Sequence, residues 1–314
     1  MPARRTVLAA LVLSLVAVAA GVPPARAFTR SLTPLARPHK LIPFGGVSRY
    51  PGEGVWRPAG RLVRGTPAVY TTTLHPPDEP SVVAGVAWMD TSLLDARLYS
   101  GSLSPGGVGW HDTAPVSPTA ARTLVAAFAG GFLLSASHGG YLSEGRLVAP
   151  LVDGAASLVI YRDGSATVGR WGRDVGMGPN VAAVRQNLTL LVDAGRPVPG
   201  LRRSDISVWG AALNGVVDTP RSGLGVTRSG ALVYVSGPMN VVDLADLLVR
   251  AGAVRAMVLD MNPLWPVFAT YRPRGADGVA APSNGTDLIP TMVQTPARFF
   301  QPTYSRDFVT LSAR

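Results

Sequence analysis

The sequence predicts one α+β domain: a mixed or antiparallel sheet, rich in hairpins, with a few packed helices. Three observations predict it. Short apolar runs of strand length recur from Val82 onward, bounded by Gly, Pro, Asn and Asp. Two pairs of these runs are joined by tight turn signals, Asp163-Gly164 and Ser229-Gly230. One stretch, Val241–Arg250, has the apolar spacing of an amphipathic helix.

The elements follow in chain order. Phe28 to about Pro80 is rich in Pro, Gly and Arg without a sustained period, so it reads as an extended lead-in, with the main domain running over 81–314. Val82–Met89 and Ala96–Tyr99 read as strands, and Ser117–Arg122 as a short helix with Pro118 in its first turn. Leu124–Phe128 is a buried strand stopped by Ala129-Gly130-Gly131. Ser157–Tyr161 and Ala166–Val168 form a hairpin about Asp163-Gly164. Arg185-Gln186-Asn187 leads into a strand at Leu188–Val192, and Val208–Leu213 is a further strand candidate. Leu224–Thr227 and Ala231–Val235 make the second hairpin. For the helix, Asn240 is the expected N-cap, Val241, Leu244, Ala245 and Leu248 its buried face, and Gly252 its stop. A buried strand then ends abruptly at Asp260, followed by Asn262, Pro263 and Trp265.

Composition narrows the chemistry. The chain has 314 residues, no cysteine and a net charge of +10. Thiol catalysis, disulfides and cysteine-bearing zinc sites are therefore excluded. The arginines are scattered, without a basic stripe interleaved with aromatics, which speaks against a nucleic-acid partner. The charge suits anionic envelope polymers or phosphate-bearing substrates better. The N-terminus reads as an export signal: Arg4 and Arg5, an apolar run from Val7 to Val22, and a small-x-small cleavage site at Ala25–Ala27. Residues 1–27 are thus expected to be removed and the protein to be secreted or extracytoplasmic, an uncleaved N-terminal anchor being the alternative. No P-loop, Gly-x-Ser-x-Gly elbow, His-Glu-x-x-His or dinucleotide fingerprint is present. The four histidines, His39, His75, His111 and His138, do not pair at metal spacing. No cofactor is expected, though Asp260 and Asn262 could ligate a divalent cation through oxygen.

A carboxylate at the point where a buried strand empties into a loop is a common seat of chemistry, and also an ordinary turn cap. The only glutamates are Glu53, Glu79 and Glu144, so acid/base candidates are few. His138, set among small residues in Ser-Ala-Ser-His-Gly-Gly-Tyr, can serve as a proton donor or as an unremarkable loop residue.

Three segments in order resemble the phosphodiester glycosidase family: Phe128-Ala129-Gly130-Gly131-Phe132, Pro220-Arg221-Ser222-Gly223-Leu224-Gly225 and Leu259-Asp260-Met261-Asn262-Pro263. The runs around them resemble an exported actinobacterial branch of that family. The resemblance implies a hydrolase acting on a sugar-1-phosphodiester or related glycosidic linkage, with a carbohydrate or phosphosugar substrate. It puts Arg221 on the phosphate, Asp260 at the anomeric centre, and the Gly130 and Gly131 backbone along the pocket. Glycoside cleavage usually needs a second carboxyl, for which Glu144 is the candidate inside the matched stretch. Asn262, Arg185 and Asn187 are further substrate-binding candidates. Two departures stand out: Ala129 replaces the family's asparagine, and Met261-Asn262-Pro263 replaces a glycine run. They raise the alternative of a non-catalytic glycan- or envelope-binding protein on the same scaffold.

Overall fold

In the computed structural model, which describes residues 33–48, 50–77, 81–203, 206–209, 216–275 and 278–314, most of the regular structure is antiparallel strand. The strands are β1 (Arg57–Val63), β2 (Thr66–Leu74), β3 (Ala84–Met89), β4 (Leu94–Tyr99), β5 (Leu124–Ala129) and β6 (Tyr141–Ser143). They continue with β7 (Arg146–Ala149), β8 (Ala156–Tyr161), β9 (Ala166–Arg170), β10 (Val181–Gln186), β11 (Leu190–Asp193) and β12 (Arg196–Pro197). The last are β13 (Thr219–Thr227), β14 (Leu232–Met239), β15 (Ala253–Val258), β16 (Phe268–Tyr271), β17 (Gly285–Asp287) and β18 (Phe308–Ala313). Short helices α1 (Pro118–Ala121), α2 (Leu134–Ser137) and α3 (Ile206–Trp209) accompany the longer α4 (Val241–Arg250).

Among the described residues these strands form three sheets. The largest is eight-stranded, in the order β1-β2-β3-β14-β13-β15-β11-β12. Two five-stranded sheets follow the orders β7-β6-β10-β8-β9 and β17-β16-β5-β18-β4. Every ladder between these strands is antiparallel, so the parallel component that "mixed" allowed is absent among the described strands. Residues from Leu32 onward form one unit.

Strand alternation explains the layering. Along β14, Leu232 and Tyr234 point into the core shared by the three sheets, while Val233 and Val235 point to the opposite face. That opposite face is covered by α4, whose Val241, Leu244, Ala245, Leu247 and Leu248 are buried against it. β15 and the residue after it repeat the alternation, Met257 and Leu259 turning to the shared core and Ala256 and Val258 toward α4. Both faces of these strands are apolar because both are covered, hence continuous apolar runs rather than polar-apolar alternation.

The expected helix is present with its expected cap. Asn240 Oδ1 accepts from the Val242 and Asp243 amides, each at 3.0 Å, and Gly252 follows with φ +91°. Asn240→Ala is expected to lower stability by about 1–2 kcal/mol in urea unfolding. Asn240→Ser, which keeps an acceptor oxygen, should recover most of that loss. Both expected hairpins form, β8 with β9 and β13 with β14.

Two expectations need correction. The stretch from Phe28 to Pro80 is not a lead-in throughout: β1 and β2 are sheet strands, β2 pairs along β3, and Val63, Ala68 and Val69 lie in the shared core. Their signal is weak because β1 is a bulged edge strand, and β2 owes its strand character to threonines rather than to apolar alternation. Upstream of them, Leu41 is buried in the α4-side core, with Phe44 and Trp56 packed against it. The strand expected at Val208–Leu213 is α3 at its start, and 210–215 lie outside the described residues.

Candidate functional site

The site is built where β15, β5, β10 and the start of β18 meet. Past β15, the Leu259 amide donates to Ser222 O at 2.8 Å and the Ser222 amide to Asp260 O at 2.7 Å, which carries the strand pairing as far as Asp260. Asp260 is 1% exposed. Its Oδ1 accepts from the Met261 amide at 2.8 Å and the Asn262 amide at 2.9 Å, so the turn-cap role is real. Its Oδ2 is left facing Arg306, whose Nη1 stands 3.5 Å away. Burial pushes the Asp260 carboxyl up to about 6, against the opposing pull of the Asn262 amide, Arg306, the Met261 amide and Arg185. One oxygen is pinned and the other faces a cation, on a group that changes protonation near neutral pH.

β5 supplies the two glycines. The Gly130 amide donates to Asp307 O at 2.8 Å, and a methyl at Gly130 would collide with the Asp307 carboxylate. Gly131 adopts φ +144°, and a Cβ there would sit 3.3 Å from Leu259 O and 3.5 Å from Arg185 Nη2. Glycine at both positions therefore lets the backbone close onto this cluster.

The end of β10 supplies Arg185 and Gln186, and Asn187 follows directly; all three are fully buried. Arg185 grips Asp307 with two donors, Nε to Oδ2 at 2.8 Å and Nη2 to Oδ1 at 3.3 Å, and also donates to Phe132 O. Both side chains of this ion pair are 0% exposed. Gln186 is saturated: its Oε1 accepts from the Gly140 and Val152 amides, and its Nε2 donates to Val152 O and Ser157 Oγ. Asn187 Nδ2 donates to Val258 O at 2.7 Å and Leu259 O at 3.1 Å, while its buried Oδ1 has no partner among the described residues. An acceptor held this way, beside the strand end that carries Asp260, is ready for a hydroxyl or a water.

Arg221 reaches the cluster from β13, through Met261, and is 2% exposed. Its donors go to Met239 O at 2.9 Å, Val217 O at 3.1 Å and Met261 Sδ at 3.7 Å. Burial pulls its guanidinium down to about 10, opposed by Asp218. Asn262 begins the loop after Asp260 and accepts from the Leu264 amide at 3.1 Å.

Two expected residues are not brought to this cluster. Glu144 is exposed in a different cleft of about 640 Å³, lined also by Asp95, Arg97, Asp112, Tyr161 and Asp163. Its carboxylate accepts from the His111 and Asp112 amides at 2.9 and 2.7 Å, which makes it a loop brace. The same brace gathers ligand atoms of His111, Asp112 and Glu144 within 4.8 Å, a grouping that spacing along the chain does not disclose. His138 caps α2 in the left-handed region at φ 50°, with an exposed ring and no side-chain hydrogen bond among the described residues.

The residues that sequence reasoning missed are Tyr304, Arg306 and Asp307, just ahead of and at the start of β18. The available signal was the charged pair Arg306-Asp307 opening an apolar run, Phe308-Val309, near the end of the chain.

Residues 122–260 match the phosphodiester glycosidase family. The matched span opens just before β5 and closes on Asp260, so it contains Gly130, Gly131, Arg185, Asn187 and Arg221. Asn262, Arg306 and Asp307 lie beyond it. No curated protein matches the chain in sequence. Among solved structures, the zebrafish N-acetylglucosamine-1-phosphodiester alpha-N-acetylglucosaminidase catalytic domain, auto-inhibited by its pro-peptide, aligns with 92% of this chain and 99% of its own. Identity is 14% and the TM-score 0.50, a likeness of fold. A hypothetical protein from Synechocystis aligns at 12% identity over 82% of this chain and 64% of its own, with a TM-score of 0.42.

The departure at Ala129 has a local explanation. This residue is 2% exposed and packs with Val267 and Phe308 in an apolar cluster.

Proposed function

We propose that this chain is an exported hydrolase of the phosphodiester glycosidase type. Its substrate would be a sugar-1-phosphodiester, or a related glycosidic linkage, in envelope or extracellular glycans. The observation that carries the proposal is Asp260: a buried carboxyl raised to about 6 at a strand end, one oxygen fixed by two amides and the other beside an arginine. Such a group keeps its proton at mildly acid pH. It can donate that proton to the bridging oxygen as the bond to C1 breaks. A water then adds at C1 and gives up a proton to the Asp260 carboxylate, which restores the acid, and the products are a free sugar and a phosphomonoester. Asp307 is held by Arg185 and backs the glycine wall, so it acts by positioning rather than by proton transfer. The export half of the proposal rests on Arg4-Arg5, the Val7–Val22 run and Ala25–Ala27.

The test is turnover of a panel of sugar-1-phosphodiesters, N-acetylglucosamine-α-1-phosphodiesters included, by the purified protein. Release of free sugar from at least one member is expected. Failure on every member, with the protein folded, would overturn the proposal.

A further inference from the structure

Three arginines converge on the site, and their free hydrogen-bonding capacity separates them. Arg185 is 0% exposed and committed to Asp307, Phe132 O and Gln186 O. Arg221 is 2% exposed, and its Nε and both terminal nitrogens are engaged by two carbonyls and a thioether. Arg306 differs. Among the described residues only its Nη1 makes side-chain contacts, to Gly131 O at 3.4 Å and Asp260 Oδ2 at 3.5 Å, both long for charged partners. Among the described residues its Nε and Nη2 have no hydrogen-bond partner, and its side chain is 10% exposed where that of Arg185 is 0%.

Arg306 is also held for a task. Its guanidinium lies 4.5 Å from the centroid of the half-buried Trp265 ring, which sits edge-on to Tyr304 at 6.0 Å and 82°. Tyr304 is fully buried with its hydroxyl unpartnered among the described residues. Stacking on an aromatic face fixes the plane of the guanidinium while leaving its edge donors open, an arrangement suited to two oxygens of a phosphodiester. The same guanidinium faces, through Nη1, the Asp260 carboxyl proposed to act at the bridging oxygen, so the anion-binding group and the acid share one residue contact.

We infer that Arg306, stacked on Trp265, is the arginine that receives the anionic oxygens of the substrate, and that Arg221 is a structural arginine of β13. This assignment rests on the proposed function for the identity of the anion. It also places a substrate-contacting residue outside the span matched by the family.

The experiment compares a sugar-1-phosphodiester with a neutral aryl glycoside of the same sugar, on the full protein and on Arg306→Gln, Arg306→Lys and Arg221→Lys. Arg306→Gln is expected to lower kcat/KM for the phosphodiester on the order of 10- to 100-fold, chiefly through KM, and to cost the neutral glycoside markedly less, that smaller loss reflecting only the removal of the cation beside Asp260. Arg306→Lys should recover part of the loss, since the charge stays and the fork is lost. Arg221→Lys should lower the unfolding midpoint without discriminating between the substrates. Equal losses on both substrates for Arg306→Gln, or none, would overturn the assignment. If the wild type turns over neither compound, the proposed activity fails, and the assignment is then read from inorganic phosphate binding by calorimetry. Binding lost in Arg306→Gln would support it, and no binding by the wild type, or binding unchanged in the variant, would overturn it.

Discussion

Asp307→Ala is expected to destabilise the protein by about 3–5 kcal/mol, the largest loss from any single substitution considered. The carboxylate is 0% exposed and meets Arg185, also 0% exposed, through two donors at 2.8 and 3.3 Å. Removing it leaves a guanidinium in the core with no anion, a cost far above that of a surface pair. The double variant Arg185→Met, Asp307→Leu removes both charges and should recover a large part of the loss, because the pair's attraction is offset by its own desolvation. Urea unfolding of the two single variants and the double closes the cycle. A loss below about 1 kcal/mol for Asp307→Ala would mean that Arg185 finds another anion or reaches water.

Asp260→Asn is expected to reduce turnover on the order of 10²–10⁴-fold, because the amide cannot give up a proton as an acid does. It should also change how stability depends on pH. The folded carboxyl is raised to about 6 from an ordinary 3.8. Its contribution to stability is therefore fully present below pH 3.8 and lost as pH rises through 6. That difference corresponds to about 3 kcal/mol between the two limits. The asparagine variant has no such proton to lose, so it should fall less in stability between pH 4 and pH 8 than the wild type. Asp287, whose carboxyl burial also raises to about 6, titrates in the same window in both proteins and cancels in the comparison. For the wild type, kcat should fall as pH rises through about 6, the direction set by an acid that must keep its proton. Parallel stability curves for the two proteins would contradict the buried-carboxyl account.

How far the sequence foretold this site depends on what each residue contacts. Asp260, Gly130 and Gly131 stood out in the sequence because each follows a buried apolar run; Arg185 and Asn187 stood out as a polar cluster expected to lead into a strand, whereas Arg185 lies in the unforeseen strand β10 and Asn187 just past its end. α4 was legible because its cap, apolar face and stop are local. Arg306 and Asp307 were not, since β18 joins the sheet beside β5 from the far end of the chain, and no local period announces that pairing. Glu144 misled for the complementary reason. It lies inside the matched span, but the Glu144-Gly145 turn carries it to a loop brace with His111 and Asp112. β1 and β2 were hidden by composition, since an exposed edge strand and a threonine-rich neighbour lack the apolar alternation that marks a buried strand.

The central claim, cleavage between the sugar and its phosphate with Asp260 as the acid, is tested most directly by hydrolysis of a turned-over sugar-1-phosphodiester in ¹⁸O-labelled water. Attack at C1 predicts label in the sugar's anomeric hydroxyl, unlabelled phosphomonoester, and loss of both products in Asp260→Asn. Label in the phosphomonoester would show that the phosphorus–oxygen bond breaks instead, and would contradict the account.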